Sequence, residues 1–284
     1  MHSKLLSWLS IFGLLAAFTL DAAAQQAPGK IIAARVTGDV TMTIKATQAT
    51  APIKALEVIQ EGSIVTTKAG ASIVLLLANG ASVNLGTDSV LDIEQFTMEQ
   101  SGIDPNFKAA TATDEPSVSH TRIRLNHGEL VGKVAHLKKD QGSEFTVSTP
   151  VGAAGIRGTT FQIVFRPNGT GQAFFSLVTA EGVVELSGTP SVNGTVPPPV
   201  NVSDSNQVAL TVTVTVNDAT GVMTVTMPNG GTTVIVPTTA PASTTAQIQA
   251  NALQIAQAVA NIVIPVQTPQ DSAPATTSKP PSTL

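Results

Sequence analysis

Polar and apolar residues alternate with a period of two along most of this 284-residue chain, the spacing that turns one face of a strand inward and the other to water. The pattern appears over 36–44, where Val40, Met42 and Ile44 share a face opposite Thr41 and Thr43, and it returns as half-buried strands at 63–67, 72–77 and 82–85. Asn79-Gly80 separates the last two runs, a pair suited to the positive φ angles of a tight hairpin. Further Asn-Gly pairs stand at 168–169, 193–194 and 229–230, so turns punctuate a succession of short strands. Residues 98–119 lack a sustained apolar period and read as a loop between an N-terminal β subdomain at 28–97 and a second at 120–242. In the second, strands are expected at 122–125, 130–137, 144–148, 160–165, 173–179 and 183–186, before a Pro/Gly-rich break at 188–199. The cleanest alternation follows: Val208, Leu210, Val212, Val214 and Val216 interleave with threonines, turn at 217–221, and return through Met223, Val225 and Met227, with 232–236 extending the hairpin.

Near the end the period changes. Gln247, Asn251, Gln254, Gln257 and Asn261 recur every three or four residues, which predicts an amphipathic helix within 243–264, capped by Thr244 and running from Ala246 to about Ile262. It carries no charge, so its wide apolar surface, from Ile248 to Val263, must dock on the β body or on another copy of the chain. From Pro265 to Leu284, prolines with Thr, Ser and Ala form a segment too poor in apolar residues to fold, and it reads as a disordered tail. The predicted class is all-β, a short-stranded and mostly antiparallel sandwich or solenoid-like roll with one C-terminal α-helix.

The N-terminus adds a location. Lys4, an apolar run from Leu5 to Leu20 and then Ala22-Ala23-Ala24 have the layout of a secretory signal peptide over 1–24, cleaved before Gln25. About 16 apolar residues fall short of the roughly 20 that a spanning helix needs, so the mature chain is expected in the periplasm or outside the cell, without a membrane span. With no cysteine there is no disulfide framework, no thiolate nucleophile and no lipidated N-terminus. A net charge of -4 argues against a nucleic-acid partner. The only Trp, Trp8, lies in the signal, and there is no Tyr, so stacking platforms for sugars or bases would have to use Phe.

Candidate chemistry is sparse. Gly152, Gly155 and Gly158 lead into a strand rather than a helix, which speaks against a phosphate or dinucleotide cradle and for close backbone approach at a sharp β bend. Arg157, the one charge in that bend, is expected either to bind neighbouring carbonyls or to contact a partner. His120, His127 and His136 are close in sequence but have no reason to converge on a metal. Asp92 and Glu94 share a strand face and read as outward charge guarding a sheet rather than as a hydrolytic pair. Arg122, Arg124, Lys133, Lys138 and Lys139 make the most basic stretch of an acidic chain; with Arg157 they are the candidate partner-binding residues, for an envelope protein or an anionic envelope polymer. No catalytic residue, metal ligand or cofactor site is predicted. An alternative is a structural protein associated with cell wall or polysaccharide.

The chain resembles the FecR domain family in Gly62-Ser63-Ile64-Val65-Thr66, Asn79-Gly80-Ala81-Ser82-Val83-Asn84-Leu85, Ser89-Val90-Leu91, Gly128-Glu129-Leu130, the strand from Phe145 to Pro150, and Gly155-Ile156-Arg157-Gly158-Thr159-Thr160-Phe161. The resemblance covers about residues 57–186. It implies a β fold and a binding role outside the membrane. FecR-type regulators also hold a sigma factor through a cytoplasmic segment ahead of a transmembrane helix. Only four residues precede the apolar run here, so that role is not expected.

Overall fold

In a computed structural model, residues 26–188, 198–216, 223–228 and 235–265 are described. The expected signal peptide, the turn at 217–221, the Asn-Gly pairs at 193–194 and 229–230 and all but Pro265 of the expected tail lie outside them. The strands are β1 (Gln26–Pro28), β2 (Ile31–Thr37), β3 (Val40–Ile44), β4 (Ala49–Pro52), β5 (Val58–Ile59), β6 (Ser63–Thr67), β7 (Ser72–Leu77), β8 (Ser82–Leu85) and β9 (Ser89–Glu99). They continue with β10 (Ser119–Lys133), β11 (Glu144–Thr149), β12 (Gly152–Pro167), β13 (Gln172–Gly188), β14 (Val200–Ser203), β15 (Asn206–Val216), β16 (Met223–Thr226) and β17 (Thr238–Thr239). Among the described residues one α-helix, α1, spans Ala242–Val259.

Pairing arranges them as two sheets with open edges. The first runs β4-β3-β6-β9-β10-β11-β12-β13-β14. The second runs β5-β2-β7-β8-β10-β12-β13-β15-β16. All of these pairs are antiparallel except β10 with β11. The sheets share β10, β12 and β13, which pass from one into the other, and their inner faces meet in one core that draws Val40, Leu75, Leu91, Ile123, Phe145, Phe161, Phe175 and Val208 from both halves of the chain.

Bulges make those passages. In β10 the core residues are Ile123 and Leu125 and then Leu130, an odd-to-even switch; in β12 Ala154 and Ile156 give way to Phe161, Ile163 and Phe165; in β13 Phe175 and Leu177 give way to Val184 and Leu186. One extra residue reverses the inside-outside alternation, which is what a bulge does. The pairing shifts register between Leu125 and His127 and between Arg157 and Thr160, as that reversal requires. Gly128 holds φ at +107°, and a Cβ there would lie 2.0 Å from the Ser89 hydroxyl, so no other residue fits. Four expectations are corrected. The segments 122–125 and 130–137 belong to one strand that ends at Lys133, and 173–179 and 183–186 are likewise one strand. Of the glycine-rich bend, Pro150-Val151 forms the turn between β11 and β12, while Gly155 and Gly158 lie inside β12, where the bulge is. The expected strand 36–44 is instead broken at Gly38 and Asp39 into β2 and β3.

A third layer covers the second sheet. On its outer face Ile32, Val74, Leu76, Val131 and Val178 meet Ile248, Ile255 and Val259 of α1. β7 is therefore buried on both sides, which explains its unbroken Ile-Val-Leu-Leu-Leu and corrects the half-buried reading of 72–77. The helix docks within the chain. It begins at Ala242 after Pro241, with no side-chain cap, so Thr244 lies inside the first turn instead of before it. The buried residues at 248, 255 and 259 form one stripe, and Leu253 on the far side is 67% exposed.

The 98–119 segment is ordered by polar contacts where apolar ones are few. Glu115 is buried, its carboxylate accepting from the Ser119 hydroxyl at 2.7 Å and from the Lys138 amide. The Asn79 amide donates to Ser119 and Thr121 hydroxyls at 3.1 and 3.3 Å, and Ser143 accepts from the Ser119 amide at 3.2 Å. A one-turn helix at Ala109–Thr111 tucks Ala109 against the α1 layer.

Candidate functional site

The six candidate cations do not form one patch. Alternation sends Arg122 and Arg124 to the outer face of the first sheet, while the bulge between them and Lys133 turns Lys133 to the opposite side of the molecule, exposed beside the C-terminal half of α1. Lys138 is used structurally, its ammonium donating to the Pro116 carbonyl at 2.9 Å. Arg157 and Lys139 do come together. With His136, Leu137, Lys138, Asp140 and Gln141 they line an open cleft of about 430 Å³ beside the β12 bulge. Burial lowers the Lys139 pKa, Arg157 pushes it the same way, and Glu185 and Glu144 pull it back. Arg157 itself donates to the Glu185 carboxylate at 2.7 Å, so the expectation that it binds carbonyls is corrected to an ion pair.

The outer face of the first sheet carries short side chains. In cross-strand register one row runs Arg122, Thr146, Gly155, Glu185 and Asn201, and the next Arg124, Ser148, Ala153 and Ser187. Its charges are mostly paired: Lys45 with Asp92 at 2.8 Å, and Arg124 with Glu94 at 2.6 Å. Asp92 and Glu94 thus each face a cation rather than one another. Arg122 is exposed and has no ion pair or side-chain hydrogen bond among the described residues. Short side chains let a partner approach the sheet closely, and a free guanidinium can take a carboxylate with two parallel hydrogen bonds.

The histidines stay apart. His120 lies on β10 opposite Glu144, His127 sits at the β10 bulge, and His136 stands 3.5 Å from Asp114. Burial lowers the His127 pKa, Arg166 adds to the drop and Asp88 opposes it. Among the described residues no three His, Asp or Glu side chains gather as a metal-ligand set.

A second cleft, of about 210 Å³, opens where the β12 bulge, the 110–113 segment and the C-terminal half of α1 meet. Gly158, Thr159, Thr160, Ser82, Lys133, His136, Glu181, Ala256 and Val259 are among its lining residues. At Gly158 φ is +64°, and a Cβ would stand 2.6 Å from the His136 ring, so the glycine lets the bulge close against that histidine. Neither Glu115 nor Glu181 stood out in the sequence. Glu115 sits in a stretch without period, and Glu181 becomes a neighbour of Lys133 only through two strand pairings.

The FecR family model, described as FecR protein, matches residues 63–185. No curated protein matches the chain. Two crystal structures of a "putative anti-sigma factor" from Parabacteroides distasonis are similar to it, each at 14% identity and a TM-score of 0.35 over 59% of this chain and 60% of that one. The chain thus spans less than two thirds of the solved relative's length. The matched segment begins at β6, ends within β13 and contains the bulges of β10 and β12 that carry the sequence signature, so the match to the FecR family falls on the part of the fold where the two sheets exchange strands.

Proposed function

We propose that this chain works outside the cytoplasm as a non-enzymatic binding module, and that an envelope protein docks on the open outer face of its first sheet. The observation that carries the reading is Arg122, exposed and, among the described residues, unpartnered, in a row of Thr146, Gly155, Glu185 and Asn201 on a face over which no described helix lies. The partner then presents a carboxylate to Arg122 and a flat surface to the neighbouring small residues. Export rests on the signal-peptide layout of residues 1–24.

The test places a photo-crosslinking residue at Thr146 on the open face or at Gln249 on α1, in the full chain expressed in its own host, followed by cell fractionation. The expected result is an extracytoplasmic chain with one protein adduct from position 146, lost in Arg122→Glu, and none from position 249. A cytoplasmic chain, or equal adducts from both positions, overturns the reading. Sedimentation with purified wall polymer in place of a protein adduct would favour the structural, wall-associated role.

A further inference from the structure

Between the sheet and the C-terminal half of α1, Lys133 and Glu181 lie in one row across three strands. Lys133 is opposite Thr160, and Thr160 is opposite Glu181. Both side chains line the 210 Å³ cleft. Two strand spacings separate their backbones by about 10 Å. The Lys133 ammonium has no ion pair or hydrogen bond among the described residues, and the Glu181 carboxylate has only the Thr160 hydroxyl, at 3.4 Å. Opposite charges face one cleft and do not neutralise each other.

The rest of the lining suits an occupant. Thr159 is 2% exposed with its hydroxyl unpartnered, and Ser82 and Thr160 are 6% and 4% exposed. Ala110, Ala112, Ala135, Ala256 and Val259 supply small apolar walls.

We propose that this cleft binds a small zwitterion of the size of a dipeptide, its carboxylate on Lys133 and its ammonium on Glu181. An extended dipeptide spans about 7 Å. Adding an ion-pair contact of about 2.8 Å at each end gives roughly 13 Å, a distance the two flexible side chains can span from backbones about 10 Å apart. The site is separate from the open face, since Lys133 and Arg122 point to opposite sides of the molecule.

The probe is L-alanyl-L-alanine, titrated at millimolar concentration into the full chain lacking residues 1–24 while amide resonances are followed. Saturable shifts are expected at Gly158, Thr159 and Glu181, weakened about tenfold, or 1.4 kcal/mol, by Lys133→Met and by Glu181→Gln. The N-acetyl and C-terminal amide forms of the dipeptide, each lacking one charge, should lose a similar factor. Both variants change exposed side chains, and an unchanged melting temperature shows that they fold. No saturable shift, shifts indifferent to either variant, or equal binding of a singly charged form overturns the proposal. Loss of the Thr146 adduct with dipeptide binding intact would sink the docking reading alone.

Discussion

The two sheets of this molecule have outer faces with opposite fates. That of the second is apolar at Ile32, Val74, Leu76, Val131 and Val178 and is sealed by a helix of its own chain. That of the first carries Thr, Ser, Ala and Gly among charges that are mostly set in pairs, with Arg122 left unpaired among the described residues, and no described helix lies over it. Apolar area must leave water and polar area need not, so the sealed face carries stability and the other is free to meet a partner. Open edges are guarded as well. β4 is short, and at its rim Pro52 pairs with Thr41 where a free donor would otherwise invite another strand.

The comparison is broken most severely by charging the sealed face. Ile255→Asp places an uncompensated carboxylate at a fully buried position, and Ile255→Ala alone should cost about 2–5 kcal/mol; Thr146→Ala on the open face should stay within about 0.5 kcal/mol. Urea midpoints of the three variants check this, and equal midpoints would mean that α1 is not a structural layer. The bulges come next. Gly128→Ala should destabilise more than Gly158→Ala, because the Ser89 backbone at 2.5 Å blocks the first and only a movable His136 ring, at 2.6 Å, the second. Strain of about 1–3 kcal/mol is expected at each φ, read as melting temperature; the reverse order would refute the assigned obstacles.

His127 offers a smaller test. Its folded pKa lies below the ordinary 6.5, so the unfolded chain takes up the proton first as pH falls. Its contribution is constant above 6.5 and turns against folding as pH drops from there toward the folded value. Urea midpoints at pH 8 and pH 5.5 should differ less in His127→Gln than in the parent; an unchanged difference assigns the pH response elsewhere. Smallest is the open face's ion pairs. Arg124→Ala should cost at most about 1 kcal/mol, and less in salt, since Arg124 and Glu94 both reach solvent.

Much of this fold was legible. Alternation located most strands, the spacing of Gln and Asn by three or four residues located the helix, and the glycine signature located the FecR-like region, because each is a property of neighbours in sequence. The candidate site was legible only in part. Arg122 and Arg124 stand on one face as their spacing of two requires, whereas Lys133, eleven residues from Arg122, is displaced to the other side by a bulge that leaves no mark in the hydrophobic pattern until the parity of Ile123, Leu125 and Leu130 is compared.

By itself, the sequence determined the β character, the uncharged helix and the FecR signature, since local periodicity and turn chemistry act over a few residues. Tertiary structure decided which sheet face the helix seals, that Glu115 is buried, and that Lys133 and Glu181, 48 residues apart, share a cleft. Those outcomes depend on strand pairings between distant segments. Alternation gives each strand two faces, and only packing chooses the one that meets the core, the helix or water.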